Sequence, residues 1–218
     1  MSTPVLTRLA ENGVLAITLN RPEVLNSLNE SLTIGLVDTM LEAKTDSAVR
    51  AVVITGTGRA FCAGADLNAR SWPAVRGVSA GEAIAAHMER GFNPLVKAVA
   101  QSTKPVVTAI NGVAAGGGVG LALAADIAIA AETAKFKLVF GPNLGIIPDM
   151  GTSWFLPNLV GRARANGLAL LGDNLSAWDA KAWGLIWDCV ADENLIPTAM
   201  TLAGRLADGP TAGLKAVV

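Results

Sequence analysis

Apolar and polar residues alternate along residues 4–20, where "VLTRLA" and "VLAITLN" flank the turn "ENG". That period of two predicts a pair of short strands. After the loop "RPEVLNSLN", Leu32, Leu36 and Met40 recur at helical spacing and the pattern ends near Lys44. Ser27 and Glu30 stand three apart, the spacing of a capping box. "AVRAVVITG" is a continuous apolar run and reads as a buried strand, and "TGRAFCAGADLNAR" as a glycine-containing loop that leads into a helix. Residues 71–82 are rich in Gly, Pro and Ser and predict a surface loop. "EAIAAHMERGFNPLVKAVAQS" predicts a helix kinked between Gly91 and Pro94. Further on, "KFKLVF" reads as a strand, "GPNLGIIPDMG" as a loop and "TSWFLPNLVGRARANGLALLG" as a helix in two pieces. Ser176 opens a helix that Gly184 closes, "LIWDCVAD" is a last strand, and "IPTAMTLAGRLADG" a last helix. Strands and helices alternate throughout, which predicts an α/β core.

One stretch breaks the rhythm. From Pro105 to Ala125 there is no charged residue, and Gly112, Gly116 and Gly120 are spaced four apart. The run is long enough to span a bilayer, and its glycines would suit helix packing in lipid. Against that, the five glycines from Gly112 to Gly120 would each cost a helix roughly 1 kcal/mol relative to Ala. The run also divides by chemistry. "KPVVTAI" is strand-like, "NGVAAGGG" a turn, "VGLALAAD" a helix, and "IAIAAE" a further strand. A strand–turn–helix–strand unit buried on all sides accounts for the missing charge.

Composition narrows the function. The chain has 218 residues, 51% of them hydrophobic and 16% charged, enough for one large domain with a substantial core. A formal net charge of −1 and the lack of a basic run argue against nucleic acid as a partner. The start, "MSTPVLTRLAENG", has no apolar signal core. Cys62 and Cys189 make no disulfide framework and are expected to be buried thiols in a reducing cytoplasm. The pattern "TAGLKAVV" ends without a C-cap signal, so the natural chain is expected to continue past Val218.

The glycines fit no nucleotide motif. A Gly-x-Gly-x-x-Gly reading from Gly56 or Gly116 meets Phe61 or Leu121 at its sixth place, and no Gly-Lys-Ser/Thr follows. No Gly-x-Ser-x-Gly elbow or metal-ligand cluster occurs, and the single histidine, His87, lies in a helical pattern. Two backbone turns remain. "FCAGADL" places Gly64 and Ala65, and "AAGGGVGLAL" places Gly116 to Gly118, where unpaired N–H groups can be offered at a helix start. Two such groups converging on one carbonyl oxygen form an oxyanion hole. Tight packing at two turns explains the same glycines, and from the residues alone both readings stand.

"RAFCAGADL", "AINGVAAGGGVGLALAADIAIAAETAKF" and "GRARANGLALLGDNLSAWDAKAWGLIWDCV" resemble the enoyl-CoA hydratase/isomerase (crotonase) family, over nearly the whole chain from "VLAITLNRPEVLNSL" onward. "GFNPLV", "LGIIPDMGTSWFLP" and "AWGLIWDCV" are similar to the ring-epoxide isomerases that act on 2-(1,2-epoxy-1,2-dihydrophenyl)acetyl-CoA in phenylacetate degradation. The resemblance implies a crotonase-type spiral of β-β-α units over residues 1–195. Residues 196–218 would then begin a C-terminal helical region, most of which is missing here. It implies oxyanion donors at the N–H groups of Ala65 and Gly117. It places a CoA-binding site along Ala63, Ala65, Asp66, Leu67 and Asn68, with backbone near Val24 and Leu25 and with Gly117. It also implies a homotrimer or hexamer (a dimer of trimers), no metal or redox cofactor, CoA being part of the substrate, and a cytoplasmic location with no membrane or nucleic-acid partner.

The family's hydratases use two glutamates, whose places here hold Gly120 and Phe140. What remains is Asp149 in "GIIPDMG", which resembles the acid/base aspartate of the family's dienoyl-CoA and ring-epoxide isomerases. Ile146, Ile147 and Met150 would desolvate it; capping the helix that starts near Thr152 is its alternative role. Glu89 is a second carboxylate candidate. The expected function is therefore an acyl-CoA isomerase working through a thioester enolate. Alternatives are an enoyl-CoA hydratase, another crotonase-type reaction, or a non-catalytic acyl-CoA binder.

Overall fold

The computed structural model describes residues 3–67 and 77–217. Val5–Leu9 (β1) and Val14–Leu19 (β2) form the expected antiparallel hairpin, with Gly13 at φ +80° in its turn. Helix α1 spans Glu30–Thr45 and buries Leu32, Leu36 and Met40. Its N-cap is Asn29, whose side chain accepts the Leu32 N–H at 3.0 Å. Ser27, which the spacing favoured as the cap, instead turns its hydroxyl onto the Val24 carbonyl. Leu28 is held in an extended bridge at this point, so the helix cannot begin earlier.

From here the chain alternates between two sheets. Ala51–Gly56 (β3) lies in the first sheet and Ala60–Cys62 (β4) in the second. Helices Ala80–His87 (α2) and Asn93–Ala100 (α3) follow, joined by a wide i→i+5 turn at Met88–Phe92, just before Pro94. This is the expected kink. Pro94 lacks an N–H, and the widened turn accommodates the missing bond. Val106–Ile110 (β5), Val113–Ala115 (β6) and Gly117–Leu123 (α4) make the next turn of the spiral, then Ile127–Ala131 (β7), Lys135–Lys137 (β8) and Thr152–Leu171 (α5). Helix α5 breaks at Gly161, φ 77° and ψ 162°, as the two-piece pattern predicted. Asn174–Ser176 (β9), Ala177–Ala182 (α6), Asp188–Val190 (β10), Leu195–Asp208 (α7) and Thr211–Lys215 (α8) complete the described chain.

The first sheet has the order β1-β2-β3-β5-β7-β10, parallel except for the β1–β2 hairpin. The second has the order β4-β6-β8-β9, with only β9 antiparallel. After the β1–β2 hairpin, each successive strand pair (β3–β4, β5–β6, β7–β8, β9–β10) gives one strand to each sheet, which is the spiral the sequence led us to expect. The strands β4, β6 and β9 were hidden inside stretches that read as loop, turn and helix start, because each is three residues long. The 105–125 run is β5, β6 and α4, and no helix among the described residues is long and apolar enough to cross a membrane. Helix α7 packs on β3 and β5 through Leu195, Ala199, Ala203 and Ala207, a four-residue spacing of mostly small side chains that brings its axis close to the sheet.

The loop between β2 and α1 carries two non-glycine residues in the left-handed region, Leu25 and Asn26, both at φ 55°. Asn26 is fully buried. Its amide donates to the carbonyls of Thr57 (3.0 Å) and Ala60 (2.8 Å) and accepts the Arg21 N–H (2.8 Å). Asparagine tolerates this conformation better than most residues. Asn26→Ala takes a donor from the Thr57 and Ala60 carbonyls and the acceptor from the Arg21 N–H, and leaves a strained alanine; it is expected to destabilise the protein by about 3 kcal/mol. A urea midpoint lowered at unchanged slope would show it; a loss under about 0.5 kcal/mol would mean the loop does not depend on this side chain.

Candidate active site

Strands β4 and β6 lie side by side in parallel, with Ala60 opposite Val113 and Cys62 opposite Ala114. The turns that follow them therefore emerge together. After β4, Gly64 adopts φ +87°, and a Cβ there would lie 2.8 Å from the Ala115 carbonyl oxygen and 3.1 Å from the Gly117 nitrogen. Only glycine allows that approach. After β6, Gly116 turns at φ 52° and ψ −128°, a conformation close to glycine's alone. Gly118 then packs with its Cα against Cys62, whose carbonyl oxygen would be 2.0 Å from a Cβ.

These contacts leave two N–H groups unused. Leu28 forms a parallel bridge with Ala65 in which its N–H donates to Gly64 O (2.7 Å) and its carbonyl accepts Asp66 N (3.0 Å). The Gly64 carbonyl thus points at Leu28. In a planar trans peptide the Ala65 N–H must then point the opposite way. Gly117 is the first residue of α4, so its N–H has no partner within the helix. Neither N–H has an acceptor among the described residues. The helix start expected after Ala65 falls on residues outside those described; at Ala65 itself the donor is freed by the alternation of an extended strand.

Asp149 completes the arrangement. It stands in the loop before α5 between Pro148 and the buried Met150, which is itself left-handed at φ 51°. One carboxylate oxygen, Oδ1, lies 3.3 Å from where a Cβ on Gly117 would be, and it is buried without a hydrogen-bond partner. Burial pushes its pKa up to about 6, against a smaller opposing pull from its own backbone N–H. Asp149 does not cap α5. Gly151, at φ 75°, is the N-cap and no side chain bonds there. Of the two hydratase glutamate positions, Phe140 is a buried side chain near Gly116. At Gly120 a Cβ would meet Met150 O at 2.4 Å and Thr152 Oγ1 at 2.7 Å, so the Asp149 loop closes over that position.

Around this centre, Val24 ends a short 3₁₀ turn (Pro22–Val24), and the Leu25 carbonyl accepts the Ala63 N–H at 3.0 Å. The structure thereby brings Val24, Leu25, Ala63, Ala65 and Asp66 onto one pair of adjoining segments, with Leu67 exposed beside them. Asn68 lies outside the described residues. Asp66 turns its carboxylate to Arg21, 2.9 Å away. His87 sits edge-on to Phe92, at a centroid distance of 5.2 Å. It lines a cavity of about 380 Å³ between α1 and α2 together with Thr33, Ile34, Ala83 and Phe92. Glu89 is exposed on the wide turn. Sequence reasoning did not single out Leu28, Arg21 or Thr152 as site residues, because their contacts are with residues distant in the chain.

Comparison with known proteins places these features among relatives. The pattern of the enoyl-CoA hydratase/isomerase family matches residues 9–218. The chain is 50% identical over 204 residues to the 1,2-epoxyphenylacetyl-CoA isomerase of Escherichia coli (strain K12), covering 94% of this chain and 76% of that protein. It is 34% identical over 216 residues to 2,3-dehydroadipyl-CoA hydratase of the same organism, covering 99% and 80%. Among solved structures, an enoyl-CoA hydratase from Bacillus anthracis superposes with a TM-score of 0.86 at 35% identity, over 94% of this chain and 77% of that one.

A carboxyl group held at a pKa of about 6 in the folded protein binds its proton more tightly there than in the unfolded chain. Its contribution to stability is therefore full below pH 4 and is lost as pH rises through 6. Asp149→Asn has no such titration. The stability of the unaltered protein relative to Asp149→Asn should fall by on the order of 2 kcal/mol between pH 4 and pH 7. Urea melts across that range would contradict the assignment if the difference stayed constant.

Proposed function

Because the chain belongs to the enoyl-CoA hydratase/isomerase family, we propose that it is an acyl-CoA isomerase in which Asp149 moves a proton beside an enolate held by Ala65 and Gly117. The thioester carbonyl oxygen takes hydrogen bonds from the Ala65 and Gly117 N–H groups, which lack other partners. In a site shut off from water each such donor contributes about 3–4 kcal/mol to stabilising developing negative charge. The observation that carries the proposal is the desolvated Asp149 carboxylate, whose Oδ1 lies against Gly117 without a hydrogen-bond partner among the described residues.

The choice of isomerisation over hydration rests on counting groups. Hydration adds a water across a double bond, so one group must activate the water while another manages the second proton. An isomerase takes a proton from one carbon of the substrate and returns it to another, and one carboxylate can do both in turn. A pKa near 6 suits that task at neutral pH. Neither Gly120 nor Phe140 supplies a carboxylate, and Gly120 has no space for one. The 50% identity to the E. coli isomerase supports a ring-epoxide of phenylacetyl-CoA as the substrate. CoA would run along Val24, Leu25, Ala63, Ala65, Asp66, Leu67 and Asn68. The acyl group would extend toward the cavity between α1 and α2. No metal or redox cofactor takes part in this scheme. The enzyme would be cytoplasmic and a trimer or a dimer of trimers; the exposed Ile147, Trp154, Leu170 and Leu171 offer apolar surface for subunit contacts.

The test is exchange of the α-protons of phenylacetyl-CoA in deuterated water. Asp149→Asn keeps the size of the side chain but has no carboxylate, and exchange should fall roughly 10²–10⁴-fold. Binding of the thioester should persist, since both N–H donors are untouched. A folded Asp149→Asn protein with unchanged exchange would refute the proposed mechanism. The assembly is tested separately by sedimentation: a stable monomer at micromolar concentration would contradict it.

A further inference from the structure

The direction of the Ala65 N–H is set by its neighbours, and those neighbours are held by Arg21. This residue ends β2's run into the 21–28 loop. Its backbone makes a reciprocal pair with Asn26: the Arg21 N–H donates to Asn26 Oδ1 at 2.8 Å, and the Arg21 carbonyl accepts the Asn26 N–H at 2.9 Å. Its guanidinium reaches in two directions at once. One nitrogen donates to the Ser27 carbonyl at 2.6 Å, and the other pairs with Asp66 Oδ2 at 2.9 Å. The pair is largely withdrawn from solvent, with side-chain exposures of 18% for Arg21 and 7% for Asp66.

Ser27 immediately precedes Leu28, and Asp66 immediately follows Ala65. Leu28 and Ala65 are the two bridged residues. A single planar group therefore clamps both sides of the bridge that turns the Ala65 N–H outward. The loop it clamps needs such a device, because Leu25 and Asn26 are both left-handed. Resting on the function proposed above, we propose that Arg21 is a positioning residue for the oxyanion hole: its guanidinium, pinned between the Ser27 carbonyl and Asp66, fixes the aim of the Ala65 N–H at the thioester oxygen. Two separate nitrogens in one plane are what the geometry uses, and lysine has only one.

The probe is trans-cinnamoyl-CoA, a conjugated thioester whose absorption moves to the red when hydrogen-bond donors polarise its carbonyl. Three variants are compared with the unaltered protein: Arg21→Lys, Arg21→Gln, and Arg21→Gln combined with Asp66→Asn. The double variant removes both charges of the Arg21–Asp66 pair, so it carries the test if the single variant does not fold. Expected in Arg21→Gln and in the double variant are a loss of at least half of the red shift and a 10- to 100-fold fall in the rate of α-proton exchange; in Arg21→Gln, which leaves the CoA-lining residues unchanged, cinnamoyl-CoA affinity should stay within about fivefold of the unaltered protein. Arg21→Lys should fall between. A full red shift with exchange within threefold, in a folded Arg21→Gln or double variant, would overturn the proposal. So would a raised KM with unchanged kcat and unchanged red shift, which would make Arg21 a contact for the CoA phosphates. Absence of any red shift in the unaltered protein would overturn the oxyanion reading itself, and this role with it.

Discussion

Everything at the centre of this molecule depends on two backbone turns coming into close approach. Gly64 lies so near Gly117 that one methyl group would collide with the Ala115 carbonyl at 2.8 Å. The spiral makes this approach possible. After the first hairpin, each strand pair sends a strand of only three residues to the second sheet, and the parallel register of β4 with β6 delivers both turns at the same height. Gly118 then lets the end of β4 rest directly on α4, and Leu28 occupies the other side of Ala65. The fold is in this sense a means of bringing the ends of successive repeats into register.

That closeness has an electrostatic consequence. Ala65 N–H, Gly117 N–H and Asp149 Oδ1 lie in an apolar neighbourhood and have no partner among the described residues. Each unpaired buried polar group costs roughly 1–3 kcal/mol. Under the proposed function the arrangement is coherent. The two donors and the one proton acceptor acquire partners only when a thioester is bound, and the low local polarity that makes them costly also makes them effective.

Much of this was legible in the sequence, and the illegible parts have physical reasons. The long strands were visible because β2, β3, β5 and β7 run five or six residues with clear apolar patterns. The kink before Pro94 and the break at Gly161 follow from local backbone chemistry, and both were foreseen. The second sheet was not, since three-residue strands such as Ala60–Cys62 carry no period. The cap of α1 moved from Ser27 to Asn29 because a distant partner, Ala65, holds Leu28 extended; no local rule contains that contact. Asp149 was found through its likeness to a family, and its apolar flanks announced the raised pKa. Its freedom from capping could only come from Gly151 taking that place. Arg21 showed no signal, because its partner Asp66 is forty-five residues away.

The relation between loop and helix at Gly120 bears on how activities diverge on one scaffold. A hydratase of this kind would carry a glutamate on α4 at this position, projecting from a helix. Here the same space is taken by the backbone of Met150 and the hydroxyl of Thr152, both from the turn that also presents Asp149. Moving the carboxylate from helix to loop and filling its former place are thus one structural change. Restoring a glutamate at Gly120 alone would push against Met150 O, a backbone atom that cannot rotate aside, and would displace Asp149 with it. Under the proposed function, the glycine at 120 and the aspartate at 149 belong to one arrangement, since the turn that presents Asp149 fills the space beside Gly120.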